Sequence, residues 1–130
     1  MFNLKLNPDC VRDILLFVEE NTDYKVSCRI PKDNIPYPLS KYEPNVVMYH
    51  VEQCVMSEYF SKTSSDIYDN ITIKGLSPAG HKFIDNVRND EIWSDVKSVS
   101  AKVGSKSLDS LMQIATGVIT TLIQSQLGLR

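Results

Sequence analysis

The stretch Leu76-Ser77-Pro78-Ala79-Gly80-His81-Lys82-Phe83-Ile84-Asp85 constrains the fold more tightly than any other part of this chain. An alternating run, Ile71-Thr72-Ile73-Lys74, leads straight into it, and period-two alternation marks a half-buried strand. Ser77 carries a short oxygen-bearing side chain suited to an unpaired amide at a helix start. Pro78 has no N–H to waste in the first turn. A strand therefore feeds directly into a capped helix, with Phe83, Ile84 and Val87 facing the core. Gly80 inside the first turn weakens that helix by about 1 kcal/mol relative to alanine. Close packing against the preceding strand or the first helix is expected there.

The rest of the chain supplies elements around this junction. Asn7-Pro8-Asp9 starts a helix that runs to about Glu20, with Val11, Ile14, Leu15, Phe17 and Val18 as its apolar face. Tyr24–Ile30 alternates and reads as a short strand. Pro31, Pro36 and Pro38 exclude a long regular element across 31–39 and leave Leu39–Tyr42 for a single turn. Pro44 opens a helix to about Ser57, on which Val47, His50, Val51 and Cys54 recur at helical spacing. Glu58–Ser61 reads as a strand, Lys62–Asn70 as a polar loop with a mobile tip, and Ile71–Leu76 as the returning antiparallel strand.

Downstream, Ile92, Trp93, Val96 and Val99 mark a helix ending near Gly104. A final helix starts at Ser105 or Ser107 and runs to Gln126, with Gly128 to stop it. Its apolar stripe, from Leu108 and Leu111 to Leu122 and Ile123, is wide enough to need a partner surface. The first helix or a second copy of the chain would serve, and Gly117 permits close approach. The expected fold is α+β and mostly helical. A winged-helix-like domain with a small β-hairpin wing spans 1–90. A two-helix C-terminal extension spans 91–130, packed on that domain or forming an oligomer interface.

Five segments also carry a resemblance. They are Lys5–Leu15, Tyr49-His50-Val51, Leu76–Arg88, the Trp93 helix and the Gly104–Leu108 junction. In this order they resemble a prophage-associated family of bacteria and their phages, the domain-of-unknown-function family 2513. The resemblance covers nearly the whole chain. It implies a winged-helix-like N-terminal domain and a helical tail, and brings no established activity and no assigned functional residues.

Charge bears directly on function. Net charge is -2, with six Lys/Arg against nine Asp/Glu in residues 1–60 and eight against seven in 61–130. Neither half is the basic block expected when affinity comes from phosphate neutralisation. Cys10, Cys28 and Cys54 form no CxxC pair and no zinc quartet with His50 and His81, so they read as reduced, buried thiols. The N-terminus has no basic segment before an apolar core, and Leu108–Leu127 is too polar for a confident membrane span. A cytoplasmic protein is expected, with no cofactor, no metal and no membrane contact.

Two function classes remain. As a DNA reader, the 44–57 helix would present Asn45 and Gln53 to bases, and Lys41, Lys62, Lys74, Lys82 and Arg88 would hold phosphates. Against this, Lys41 and Lys62 are the only Lys/Arg between Asp33 and Ile73, and Glu43, Glu52 and Glu58 surround the helix. As a protein binder, the chain offers Tyr37, Tyr42, Tyr49 and Tyr59, with Leu111, Val118 and Leu122 on the final helix. The favoured reading is a small phage-associated interaction protein that binds a host or phage protein, or a copy of itself through the C-terminal helix. The alternative is a sequence-specific DNA-binding transcriptional regulator. Catalysis is not expected: His50 reads as a core histidine with one hydrogen-bond partner, His81 as a similar residue at its helix start, and no nucleophile or phosphate-loop motif occurs.

Overall fold

In the computed structural model, which describes residues 5–104 and 107–128, the first helix begins where its capping chemistry places it. α1 (Pro8–Asn21) is capped by Asn7, whose side chain accepts from the Asp9 and Cys10 amides. Cys10, Val11, Ile14, Leu15, Phe17 and Val18 are its buried face. β1 (Cys28–Ile30) is shorter than the expected Tyr24–Ile30 strand. The Asp23 carboxylate accounts for the loss, because it accepts from the amides of Lys25 (2.8 Å) and Val26 (2.7 Å) and holds them in a turn. The proline-rich segment holds one 3₁₀ turn, Leu39–Lys41, and α1 packs on it and on the next helix, α2 (Pro44–Met56).

The hairpin departs from expectation at its first strand. Glu58 takes a positive φ of 61° as the chain leaves α2, and the Tyr59 amide still donates to the Cys54 carbonyl. Residues 58–60 are thus spent on the helix exit, and Phe60 keeps only an isolated bridge to Leu76. The strand forms later, as β2 (Thr63–Ser65), inside the stretch read as loop. β3 (Ile71–Ile73) lies between β1 and β2, antiparallel to both. Cys28 and Thr63 flank Ile73, and Ile30 and Ser65 flank Ile71. The connection is tied rather than loose. The Asp66 carboxylate accepts from the Tyr68 and Asn70 amides, the Asn70 side chain and Arg29 of β1.

α3 (Pro78–Val87) starts as its sequence demands. Ser77 Oγ accepts from the Gly80 amide at 3.1 Å and donates to the Glu58 carbonyl at 2.6 Å, while the Ser77 amide donates to Tyr59 O at 2.9 Å. The helix start is therefore latched to the α2 exit. A Cβ on Gly80 would overlap the Tyr59 carbonyl oxygen and come within 3.4 Å of Leu76 Cβ, so the tightest packing falls on this exit segment, with Leu76 at the end of the expected preceding strand beside it. Phe83, Ile84 and Val87 are fully buried.

Two compact units divide within α3, at 1–81 and 82–130. In the second, α4 (Asp90–Val103) is capped by Asn89 and closed by Gly104 at φ 80°. α5 (Leu108–Gln126) is capped by Ser107; the alternative start at Ser105 lies outside the described residues. α4 and α5 pack on each other; the buried residues of α4 are Trp93, Val96 and Ser100, and those of α5 are Leu108, Leu111 and Ala115. Beyond Ala115, α5 carries no fully buried residue. No atom lies within 4 Å of a Cβ built on Gly117, so no close helix approach occurs there among the described residues.

The two glycines make opposite predictions. Gly80→Ala should cost about 2–3 kcal/mol, because the clash is with backbone that cannot rotate away. Gly117→Ala should gain up to about 1 kcal/mol from helix propensity. Urea unfolding midpoints of the two variants check the pair; an unchanged midpoint for Gly80→Ala would contradict the latch.

Candidate functional site

Two contiguous grooves run along β2. One, of about 450 Å³, lies between α2 and the hairpin and is lined by Met48, Val51, Glu52, Val55, Thr63, Ser65, Asp69 and Ile71. The other, of about 650 Å³, continues past the α2 exit along Glu58, Phe60, Ser61 and Lys62 to Ser77–Ala79. Both are bordered by Val55 and Thr63, which makes them one trough. Its ionisable residues are Glu52, Glu58 and Asp69 against Lys62. Beside it the hairpin tip holds Ile67 88% and Tyr68 65% exposed. The tip is stiffened by Asp66, whose carboxyl is held at about 2, first by the Asn70 side chain, then by the Asn70 and Tyr68 amides and Arg29.

The expected cations do not gather on this trough. Lys41 is 3.0 Å from the Asp13 carboxylate and lies over the Tyr42 ring. Lys74 lies over the Tyr24 ring and lines a separate groove with Glu19, Asp23 and His81. Lys82 and Arg88 belong to the second unit, where Arg88 pairs with Asp85 at 2.9 Å. Asn45 is exposed in the first turn of α2, and Gln53 is half-buried. Of the lysines expected to hold phosphates, Lys62 alone lines the trough.

The tyrosines split as well. Tyr37 is 87% exposed. Tyr42 is half-buried and donates to Asp13 Oδ2 at 2.6 Å, and burial followed by that carboxylate pushes its phenol up. Tyr49 is half-buried, edge-on to the His50 ring. Tyr59 is 5% exposed and so drops out as an interface residue, because its position in the helix exit turns it into the core. Leu111 is likewise corrected: it is wholly buried in the packed half of α5, while Val118 is half-buried and Leu122 exposed. Sequence reasoning passed over Ile67 and the β2 edge. The Asp66-Ile67-Tyr68-Asp69-Asn70 run has the Asp and Asn turn chemistry that would have marked a fixed tip.

His50 has two partners, not one. The Asn7 amide donates to Nε2 at 2.7 Å, and Nδ1 donates to the Val46 carbonyl at 2.7 Å. That pattern assigns the neutral Nδ1–H tautomer. Burial lowers its pKa, with the Val46 carbonyl acting in the opposite direction. His81 is exposed rather than a core residue. Cys10, Cys28 and Cys54 are free and buried. Burial raises all three thiols, Cys10 to about 12, so they are protonated and poor nucleophiles. Among the described residues no cluster of three His, Cys, Asp or Glu could hold a metal, and no helix is long and apolar enough to cross a membrane.

The chain is thus a mostly helical α+β protein with a small three-stranded antiparallel sheet. It belongs to the family described as hypothetical protein (DUF2513), which matches residues 5–106. It is similar to an uncharacterized protein of Haemophilus influenzae, 24% identical over 123 residues that cover 92% of this chain and 99% of the relative. No solved structure matches it.

His50 generates a pH prediction. Because its folded pKa lies below the unfolded value near 6.5, the unfolded state takes up the proton first. Its stabilising contribution is complete above about pH 6.5 and is lost as pH falls through the lowered folded value. His50→Ala should cost about 2–4 kcal/mol. His50→Gln, which keeps an acceptor for Asn7, should recover part of that and flatten the fall in urea midpoint between about pH 7 and about pH 5. An equally steep fall in His50→Gln would reject the assignment.

Proposed function

We propose that the α1–β3 segment is a winged-helix-like scaffold whose α2–hairpin face binds protein rather than DNA. Two features support the scaffold reading. The element order is helix, strand, short turn, helix and hairpin, and the strand that ends the hairpin lies centrally in the sheet. The observation that carries the functional reading is the trough itself, which sets three carboxylates against one lysine beside an exposed Ile67–Tyr68 tip. A phosphate backbone is repelled by such a surface, whereas a polypeptide with an apolar contact and a cationic rim complements it. In this reading the chain is a small non-enzymatic adaptor for a host or phage protein. The phage association comes from the motif resemblance.

The element order by itself favours the second reading, a DNA-binding regulator with Asn45 on the reading helix and Lys62 on a phosphate. A mobility-shift assay with promoter fragments at two salt concentrations, beside affinity capture with wild-type and Ile67→Asp chains, separates the two. The expected outcome is no salt-sensitive DNA retention and one captured polypeptide that Ile67→Asp loses. Salt-sensitive retention unaffected by Ile67→Asp would replace the protein reading with the DNA one.

Self-association is the third element of the proposal. The distal half of α5 leaves Leu122, Ile123 and Leu127 exposed, and a groove of about 480 Å³ between α4 and α5 is lined mostly by Val99, Ile114, Val118 and Leu122. A second copy supplies the matching apolar stripe. Light scattering should give a dimer mass for the wild type and a monomer mass for Leu122→Glu. A monomeric wild type rejects this part.

A further inference from the structure

The open edge of β2 carries an inference that rests on the protein-binding reading and deepens it. In the sheet order β1-β3-β2, β2 has a strand partner on one side only among the described residues. The Lys74 amide donates to Lys62 O at 2.9 Å and the Asp66 amide to Asn70 O at 3.1 Å. With Ser64 opposite Thr72, the alternation of an antiparallel ladder turns the backbone groups of residues 62, 64 and 66 toward β3. Those of Thr63 and Ser65 turn outward. β1, the opposite edge, turns only Arg29 outward by the same rule.

The β2 edge is short, three residues, but lacks the chemical protections of an edge. Thr63-Ser64-Ser65 contains no charge and no proline, and all three residues are exposed. Asp66 fixes the neighbouring turn through four hydrogen bonds, which holds the strand extended and lowers the ordering cost of pairing.

The two faces of the sheet define what such a partner strand carries. One face runs Cys28–Ile73–Thr63 and Ile30–Ile71–Ser65, from buried apolar positions at the centre to small polar ones at the edge. That face opens into the trough beside Met48 and Val55, with Glu52 and Asp69 on its walls. The opposite face runs Arg29–Thr72–Ser64 and is polar. Side chains entering the trough therefore meet an apolar floor and two carboxylates. Lysine and arginine satisfy both, laying the aliphatic stem on the floor and the cation on the acid.

We propose that β2 is a docking strand: an extended peptide segment of the partner, with Lys or Arg at every second position and small or β-branched polar residues between, pairs antiparallel with Thr63 and Ser65 and lays its basic side chains along α2. Backbone pairing supplies affinity, and the acidic trough supplies register, since a one-residue slip would turn every cation to the wrong face.

The test uses the full chain, 15N-labelled, and an acetylated, amidated octapeptide of Thr-Arg repeats. The peptide should shift the Thr63 and Ser65 amides and slow their hydrogen exchange, and a Thr-Glu peptide should not. N-methylating the arginines, whose amides face β2, should weaken binding roughly tenfold, whereas N-methylating the threonines, whose amides face solvent, should change it less than about twofold. Glu52→Lys, an exposed substitution, should also weaken binding roughly tenfold. No response at Thr63 and Ser65 to millimolar peptide overturns the proposal. Equal effects of the two methylations overturn strand pairing while leaving a peptide-binding face. DNA retention by a chain that ignores the peptide overturns the protein-binding reading itself.

Discussion

The buried imidazole of His50 joins two elements that are far apart in sequence. Its Nε2 takes the Asn7 amide at the entrance to α1, and its Nδ1–H returns to Val46 one turn earlier on α2. The ring is fully buried, so each nitrogen needs a partner, and the neutral tautomer is the state that satisfies both with these partners. The Asn7 side chain is meanwhile occupied with the Asp9 and Cys10 amides. Cap and bridge therefore lock at the same residue. With α1 fixed on α2, the exposed side of α2 has a defined direction, and the trough wall formed by Met48, Glu52 and Val55 follows from it.

A second lock sets the other wall. Ser77 and Gly80 clasp Glu58 and Tyr59, which fixes where the chain leaves α2 and therefore where β2 can begin. Arg29 reaches Asp66 at 3.1 Å from the far strand. This exposed pair contributes little energy by itself, but it shares Asp66 with three further donors, so strand spacing and turn conformation are set together. The edge of β2 is held open by interactions made elsewhere in the same unit.

Much of this was legible in the chain because the signals are local. Asn7-Pro8, Ser77-Pro78 and Ser107 cap helices through their own side chains, and the apolar stripe of α1 needs no knowledge of its partner. The first hairpin strand was misplaced because Glu58-Tyr59-Phe60-Ser61 has strand-like residues. Its backbone is instead consumed by hydrogen bonds to Cys54, Gly75 and Ser77, which only the tertiary structure reveals. Tyr59 and Leu111 were misread for a related reason. Composition identifies aromatic and aliphatic residues suited to an interface, but burial within the chain claims them first. The β2 edge escaped notice because Thr63-Ser64-Ser65 looks like loop, and its value lies in the direction of its backbone groups rather than in its side chains.

Fold and charge lead to different functional classes here, and the charge argument is the more specific. A helix beside a hairpin is compatible with DNA, protein or peptide partners, since the scaffold sets only where a surface lies. Glu52, Glu58 and Asp69 determine what that surface tolerates. Lys41 and Lys74, two of the cations that a DNA reading needs, sit against Asp13 and the Tyr24 ring. Recruiting either for phosphate would break an existing contact and leave the trough acids still facing the nucleic acid. A basic extended segment needs no such rearrangement, because the acids are already exposed and the backbone groups of Thr63 and Ser65 already point outward.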